Sequence, residues 1–472
     1  EDGMFDFDDL EPLEAGTYEV YYTCNNGNDI DIKNFKDFIS KVLPGRNDFR
    51  SKNRPELGIT VSGEEGKFRV VDFQEVINNV MKNSIVSINR VKDNEDLEAG
   101  FSLKDKTTIR IYSIGEGSNE SIIDLAWISD VKTNQIVWKA SLDKSTHAGG
   151  GKKNYVINEK IELPKGSYQL HYSSDDSHSF EDWNVMPPND PLFWGATIWA
   201  ASEKDKNNVV QFKAEDVIKP MVELTKVGDS QYLSQGFKLL KSTEIKILCL
   251  GEGTDGDDLS DYGWIVNADT KELVWSMNNN KKLEHAGGAK KNRMVNETII
   301  LEKGNYIAYY STDDSHSYED WNASAPFDRT RWGLTIWAGG KDFELFDSKD
   351  YKSKNIIAEI IKVKDNEDIE KAFTLSKDSK IRIFAIGEGT RSGMDDYGWI
   401  EDSEGDVVWE MTYNNTEKAG GASKNKLFNK IISLDAGKYT LHFITDGSHS
   451  YNSWNSAPPE NQDSYGISLF SE

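Results

Sequence analysis

The stretch Thr107-Thr108-Ile109-Arg110-Ile111-Tyr112-Ser113-Ile114-Gly115-Glu116-Gly117 decides the fold. Residues 107–114 alternate with a period of two, the pattern of a half-buried strand, and a glycine-framed turn follows. The pattern returns at 245–253 and 381–389. Gly-Glu-Gly thus stands at 115, 251 and 387, 136 residues apart both times. Self-similarity at a fixed period marks a repeat architecture.

Working outward, Trp127-Ile128, Trp264-Ile265 and Trp399-Ile400 follow the turn, with a second tryptophan at Trp138, Trp275 and Trp409. Next come His147-Ala148-Gly149-Gly150, His285-Ala286-Gly287-Gly288 and Lys418-Ala419-Gly420-Gly421. A Lys-Asn pair recurs at Lys153-Asn154, Lys291-Asn292 and Lys424-Asn425. A turn-and-strand element recurs around Tyr168, Tyr306 and Tyr439. The most distinctive block is Asp175-Asp176-Ser177-His178-Ser179-Phe180-Glu181-Asp182-Trp183-Asn184, matched by 313–322 and 446–455. All 13 tryptophans fall in this pattern. Aromatic residues at equivalent places in each copy read as plugs of a core more readily than as ligand platforms.

The runs are short, β-branched and aromatic, and Gly, Asn, Asp and Pro turns separate them, which predicts an all-β chain. The expected architecture is tandem β-sandwich modules of jelly-roll or Ig-like type. Three full repeats are expected at 85–212, 213–352 and 353–472, after a partial repeat with a helical insert at 1–84. In that partial copy Leu13-Glu14-Ala15-Gly16-Thr17-Tyr18 matches the Gly-x-Tyr strand and Leu57-Gly58-Ile59-Thr60-Val61 matches the closing strand. Helical patterns fall at 34–42 and, more weakly, at 73–81. The missing front half of this copy is expected upstream of Glu1, or else the inserted helix covers the exposed edge.

The 472 residues carry a net charge of −25. Such a surface repels a phosphate backbone, so nucleic acid is not an expected partner. No apolar run reaches the roughly 18 residues of a membrane-spanning helix. Clustered carboxylates call for cations, above all calcium, while acidity by itself also keeps a protein soluble. Cys24 and Cys249 lie in different copies, so an intrachain disulfide is not expected. Cys249 matches Ser113 and Ala385, all small, which reads as a tightly packed strand position.

The run Val91-Lys92-Asp93-Asn94-Glu95-Asp96-Leu97, a Phe-x-Leu strand, and then Ile-Arg-Ile-Tyr-Ser-Ile-Gly-Glu-Gly resemble bacterial pre-peptidase C-terminal-type β-sandwich domains. The resemblance covers the three full repeats and, more loosely, 1–84. It implies a non-catalytic appendage of a secreted protein, placed outside the cell or in the periplasm. The role it implies is in secretion, attachment or matrix binding. The chain departs from that family's usual context in having no peptidase domain.

Asp313, Asp314, His316, Glu319 and Asp320 fall within eight residues, and hard oxygen ligands on a turn suit calcium. The competing reading is that Asp and Ser cap the turn's own backbone N–H groups. The third copy has Gly447 for the second Asp and Asn452-Ser453 for Glu-Asp. Asp257, Asp258 and Asp261 form a second calcium candidate, of which only the last recurs, as Asp124 and Asp396. Zinc between His147 and His178, or His285 and His316, is disfavoured by Lys418 in the third copy. For glycan binding the candidates are His178, Trp183 and Asn184, then His316, Trp321 and Asn322, then His449, Trp454 and Asn455. Three such weak sites on one chain would gain avidity.

Ser315, His316 and Asp314 are adjacent on one turn and cannot form a catalytic triad. No nucleophile elbow, metal-binding helix or phosphate loop is present. The expectation is therefore a secreted or cell-surface, non-catalytic repeat protein with a structural or adhesive role. Multivalent glycan binding and assembly into an extracellular filament or surface layer are the alternatives. The expected partner is a glycan, a protein matrix or the chain itself.

Overall fold

A computed structural model describes residues 8–18, 20, 59–118, 122–213, 217–253, 259–340 and 342–472. The chain divides into two compact units, Glu1–Ile218 and Lys219–Glu472. The first unit holds one β-sandwich module and the second holds two. The strands of each module pair antiparallel, which gives an all-β tandem sandwich.

In module one, one sheet has the order Val86–Asn89, Gly195–Ala200, Thr107–Glu116, Asn154–Leu163, Thr146–His147. The other runs Val209–Val210, Asp96–Leu103, Gly166–Ser173, Leu125–Asp130, Ile136–Lys139. Module two repeats this order, with Thr243–Glu252 central in one sheet and Gly304–Ser311 central in the other. Module three departs in two respects: among the described residues no strand flanks Asp368–Leu375 as Val209–Val210 flanks Asp96–Leu103 in module one, and its two sheets are joined. Ser379–Thr390 hairpins directly into Gly393–Asp402, which joins the two sheets into one of nine strands.

The alternation seen in the sequence becomes a sidedness. Ile109 and Ile111 are fully buried, and Arg110 between them is exposed. On neighbouring strands of one sheet Phe101 stacks on its cross-strand partner Tyr168 at 5.4 Å, and Phe237–Tyr306 and Phe373–Tyr439 repeat the pair. Each of these tyrosines donates its hydroxyl to the carbonyl four residues upstream, at Pro164, Glu302 and Asp435. That bond pins the corner where the chain enters the strand. Cys249 is fully buried, and Gly263 lies so close that a Cβ there would meet its sulfur at 3.1 Å. The small residues at this position therefore answer to packing.

The closing strand of each module starts at a glycine with strongly positive φ, 134° at Gly195 and Gly333 and 127° at Gly466. A Cβ on Gly333 would lie 1.9 Å from the Leu224 carbonyl oxygen. Only glycine tolerates both the backbone and the approach.

Of the partial first copy, Tyr18 donates to the Glu14 carbonyl at 2.7 Å, the same corner as in the full modules. The described residues at 13–18 and 59–61 nevertheless make no strand, and Leu13 and Ile59 are more than half exposed. Among the described residues no partner strand pairs with them, and a strand without a partner leaves its backbone groups to water. The helix expected at 34–42 lies outside the described residues. The weaker helical pattern is a helix, Phe73–Lys82, capped by Asp72, whose carboxylate accepts from Glu75 N at 3.0 Å. Trp199 of the closing strand donates its indole N–H to Val80 O and docks the helix on module one. No described helix is long and apolar enough to cross a membrane.

Modules two and three pack on each other within the second unit. On module two Trp264 stacks on Tyr309 at 5.3 Å, flanked by Tyr232 and Tyr262. Module three covers this face. Tyr232 donates to the Glu460 carbonyl at 3.1 Å, and Trp264 Nε1 donates to Asn461 Oδ1 at 3.3 Å.

Candidate functional site

The Asp-Asp-Ser-His-Ser block folds as a tight turn at the end of the Gly-x-Tyr strand. Its histidine takes a left-handed backbone, φ 59° at His178, 57° at His316 and 58° at His449. A short bridge closes the turn at Ser179–Asp182, Ser317–Asp320 and Ser450–Ser453. The turn throws the imidazole inward, where it is completely buried.

Its partner is the asparagine of the Lys-Asn pair. Nε2 of His178, His316 and His449 lies 2.6 Å from Oδ1 of Asn154, Asn292 and Asn425. The asparagine amide donates to two loops at once. Asn292 Nδ2 reaches Gly287 O at 2.8 Å and Ser324 O at 2.9 Å, and Asn154 and Asn425 do the same. Because both amide hydrogens are used, Oδ1 is the acceptor and the histidine Nε2 carries the proton. Gly288 completes the knot: at φ 63°, a Cβ on it would lie 1.9 Å from Ala325 O.

The imidazole also sits edge-on to aromatic rings. His178 is 5.1 Å from Trp183 and 5.3 Å from Trp194, and those two indoles meet edge-to-face at 4.9 Å. His316 repeats this with Trp321 and Trp332, and His449 with Trp454, which meets Tyr465. Burial first, and then the nearby lysine, holds His178 down to about 3 and His316 and His449 to about 4. All three are neutral at physiological pH.

The expected glycan residues are thus brought together in every module but are differently exposed. Trp183 is buried, Trp321 and Trp454 are half-buried, and Asn184, Asn322 and Asn455 are exposed. Lys291 and Lys424 donate to Asn322 Oδ1 and Asn455 Oδ1. The outer histidines turn elsewhere. His147 and His285 are exposed and bond Gly151 O and Ala289 O, so the two histidines of a module serve different partners.

Beside this knot lies an acidic corner. The Glu of Gly-Glu-Gly, the recurring Asp before the Trp strand and the first Asp of the turn converge. In modules two and three they are Glu252, Asp261 and Asp313, and Glu388, Asp396 and Asp446, and each trio brings one ligand oxygen apiece within 4.8 Å of one another. Such a trio can hold a metal ion. Module one has the same residue set in Glu116, Asp124 and Asp175. The central Asp is buried and accepts the backbone N–H of the turn, at 2.9 Å for Asp313 N to Asp261 and 2.7 Å for Asp446 N to Asp396. One lysine serves each corner, bound to the Glu: Lys153 to Glu116, Lys291 to Glu252 and Lys424 to Glu388. Burial first, then neighbouring carboxylates, push Asp261 up to about 8. Burial also raises Asp396, to about 7. Glu116, Glu252 and Glu388 are raised by burial against the pull of their lysines.

Of the expected metal ligands, Asp261 and Asp313 meet in this corner. Asp314 is exposed and outside the trio, and Asp257 and Asp258 lie outside the described residues. Asp313 Oδ1 also accepts from Ser315 N at 3.0 Å, so the turn caps itself as well. Glu252 and Glu388 were not singled out by the acidic pattern. Their signal was the exact recurrence of Gly-Glu-Gly, which has a packing reason: a Cβ on Gly251 would strike Asp261 O at 2.0 Å.

No family model and no curated protein matches this sequence. Among solved structures the chain is similar to the CUB1-EGF-CUB2 domain of human MASP-1/3, at 12% identity, over 53% of this chain and 96% of that one, with a TM-score of 0.17. It is also similar to PNGF-II, at 12% identity, over 77% of this chain and 99% of that one, with a TM-score of 0.24. At these scores neither likeness carries a functional argument.

Proposed function

We propose that this chain is a non-catalytic array of β-sandwich modules with a structural or adhesive role outside the cell. The observation that supports this reading is the threefold repetition of one buried His-Asn-Trp knot. Its polar groups are used on the protein's own loops, as in His316–Asn292 and Asn292–Ser324. Repeated modules presenting equivalent loops suit weak contacts multiplied by avidity. The resemblance to pre-peptidase C-terminal-type domains points the same way, towards secretion and attachment. Calcium, abundant outside cells, is the counter-charge such an acidic array would recruit.

The test is binding of the full chain to immobilised glycans and matrix proteins, beside the same chain with one module deleted. Deletion is expected to weaken surface binding at least ~10-fold through lost avidity. Turnover of a substrate that disappears when His316 is replaced would overturn the reading.

Self-association is a second reading, favoured by one face of module three. Trp399 stacks on His442 at 4.6 Å where module two has Trp264 on Tyr309. The module-two face is covered by module three, whereas Trp399 and Tyr397 are half-buried. Sedimentation at high concentration separates the readings: a concentration-independent monomer rules self-association out.

A further inference from the structure

We infer that modules two and three each hold one calcium ion, in the corners Glu252–Asp261–Asp313 and Glu388–Asp396–Asp446. The choice of calcium rests on the extracellular reading above; the corners rest on geometry.

Acidic side chains crowd many surfaces without binding anything. These corners differ in having carboxylate oxygens that are buried and unsatisfied. Glu388 is 6% exposed; its Oε1 takes Lys424 at 2.8 Å, and its Oε2 has no hydrogen-bond partner. Glu252, its side chain 12% exposed, keeps the same pairing, with Oε1 on Lys291 at 2.9 Å and a buried Oε2 unpartnered. Glu116 of module one is 6% exposed and carries the same unpartnered Oε2. Leaving a buried acceptor unmade is costly, and here the cost recurs in each copy.

Charge points the same way. In each corner three carboxyl groups face one lysine, so that once a cation displaces the proton of the central Asp two negative charges are left for a divalent ion to neutralise. Asp229 adds to the field on Glu252. The donors are all carboxylate oxygens, the hard ligands that calcium takes. No histidine or cysteine belongs to either trio, as zinc would favour. Entry is open as well: Asp313 and Asp446 are exposed, while Asp261 and Asp396 are buried behind them.

The experiment is calorimetric titration of the EDTA-stripped full chain with calcium chloride, paralleled by terbium(III) luminescence. Trp332 lies beside Asp261, so excitation of tryptophan is expected to sensitise terbium in module two. Dissociation constants near those of extracellular calcium modules, ~10⁻⁴–10⁻³ M, are expected. Glu252→Gln and Glu388→Gln should each remove one bound ion, and the double variant two. Asp314→Asn, outside the trio, should leave the stoichiometry unchanged. Asp313→Asn, whose amide oxygen can still accept from Ser315 N and keep the turn capped, should weaken the module-two site about tenfold.

Absence of binding up to ~10 mM calcium, above the weakest such modules, overturns the inference. So does a stoichiometry that the double variant leaves intact. The titration needs no surface or partner. Calcium binding without adhesion would therefore remove the adhesive reading and keep the sites, and adhesion without calcium would do the reverse.

Discussion

At the scale of single residues, one buried asparagine ties a histidine and two loops of its module together. Asn292 replaces with one amide the contacts that would otherwise leave His316 Nε2 and two loop carbonyls unpaired. Asn292→Ala is expected to destabilise the second unit by about 3 kcal/mol in chemical denaturation. The same knot sets a pH dependence. His316 titrates near 4 in the native protein, against about 6.5 in an unfolded chain. Between those values only the unfolded chain takes the proton, so stability falls as pH drops from about 6.5 towards 4. Asp261 works in the opposite sense. It holds its proton up to about 8 when folded, against about 3.8 unfolded, so stability falls as pH rises through that window. In EDTA, His316→Gln should flatten the acid-side loss and Asp261→Asn the loss towards pH 8. Unfolding midpoints measured from pH 4 to 8 check both. Burial also pushes the Cys249 thiol far up, so its peptide should resist alkylation until the chain is unfolded.

At the scale of elements, strand entry is the sensitive point. Gly333 pairs with Thr225 at the start of the closing strand, with backbone that an alanine could not adopt. Gly333→Ala should cost more than about 3 kcal/mol, because the Cβ would meet a carbonyl of the neighbouring strand rather than a movable side chain. The helix Phe73–Lys82 responds more mildly. Asp72→Ala removes its N-terminal cap and should cost about 1 kcal/mol, seen as faster hydrogen exchange over the first turn while the sheets stay protected. These elements were partly legible. The period-two run at 107–114 and the thrice-repeated glycines announce strands and their corners. The role of Glu252 was not legible, because a lone Glu between two glycines looks like turn chemistry until the fold brings Asp261 and Asp313 to it.

At the scale of the molecule, the second unit is two modules that share one face. Trp264 and Tyr232 of module two are satisfied by Asn461 and Glu460 of module three. Trp264→Ala is therefore expected to uncouple them, so that calorimetry of a 219–472 fragment resolves two transitions in place of one. A single, unchanged transition would mean that the modules cooperate through other contacts. Nothing in the repeat pattern predicts this packing. Trp127, Trp264 and Trp399 are equivalent in sequence, and the difference lies in neighbours such as Tyr232 and Tyr309, where module one has Asp96 and His171 and module three has Asp368 and His442.

What the sequence determined by itself is local and periodic: three copies, their strand-forming runs, their corner tyrosines and their glycine turns. Each follows from steric and burial rules acting within a few residues, so repetition of the residues repeats the structure. What only the tertiary structure decided is convergence. Residues some 60 positions apart, such as Glu252 and Asp313, become neighbours through strand pairing, and burial in that corner raises the proton affinities of Glu252 and Asp261. The choice between a tryptophan that plugs a core and one that stays half-open was likewise settled by what packs over it, as at Trp183 and Trp321. Burial is a property of the whole surround, and no window of sequence contains it.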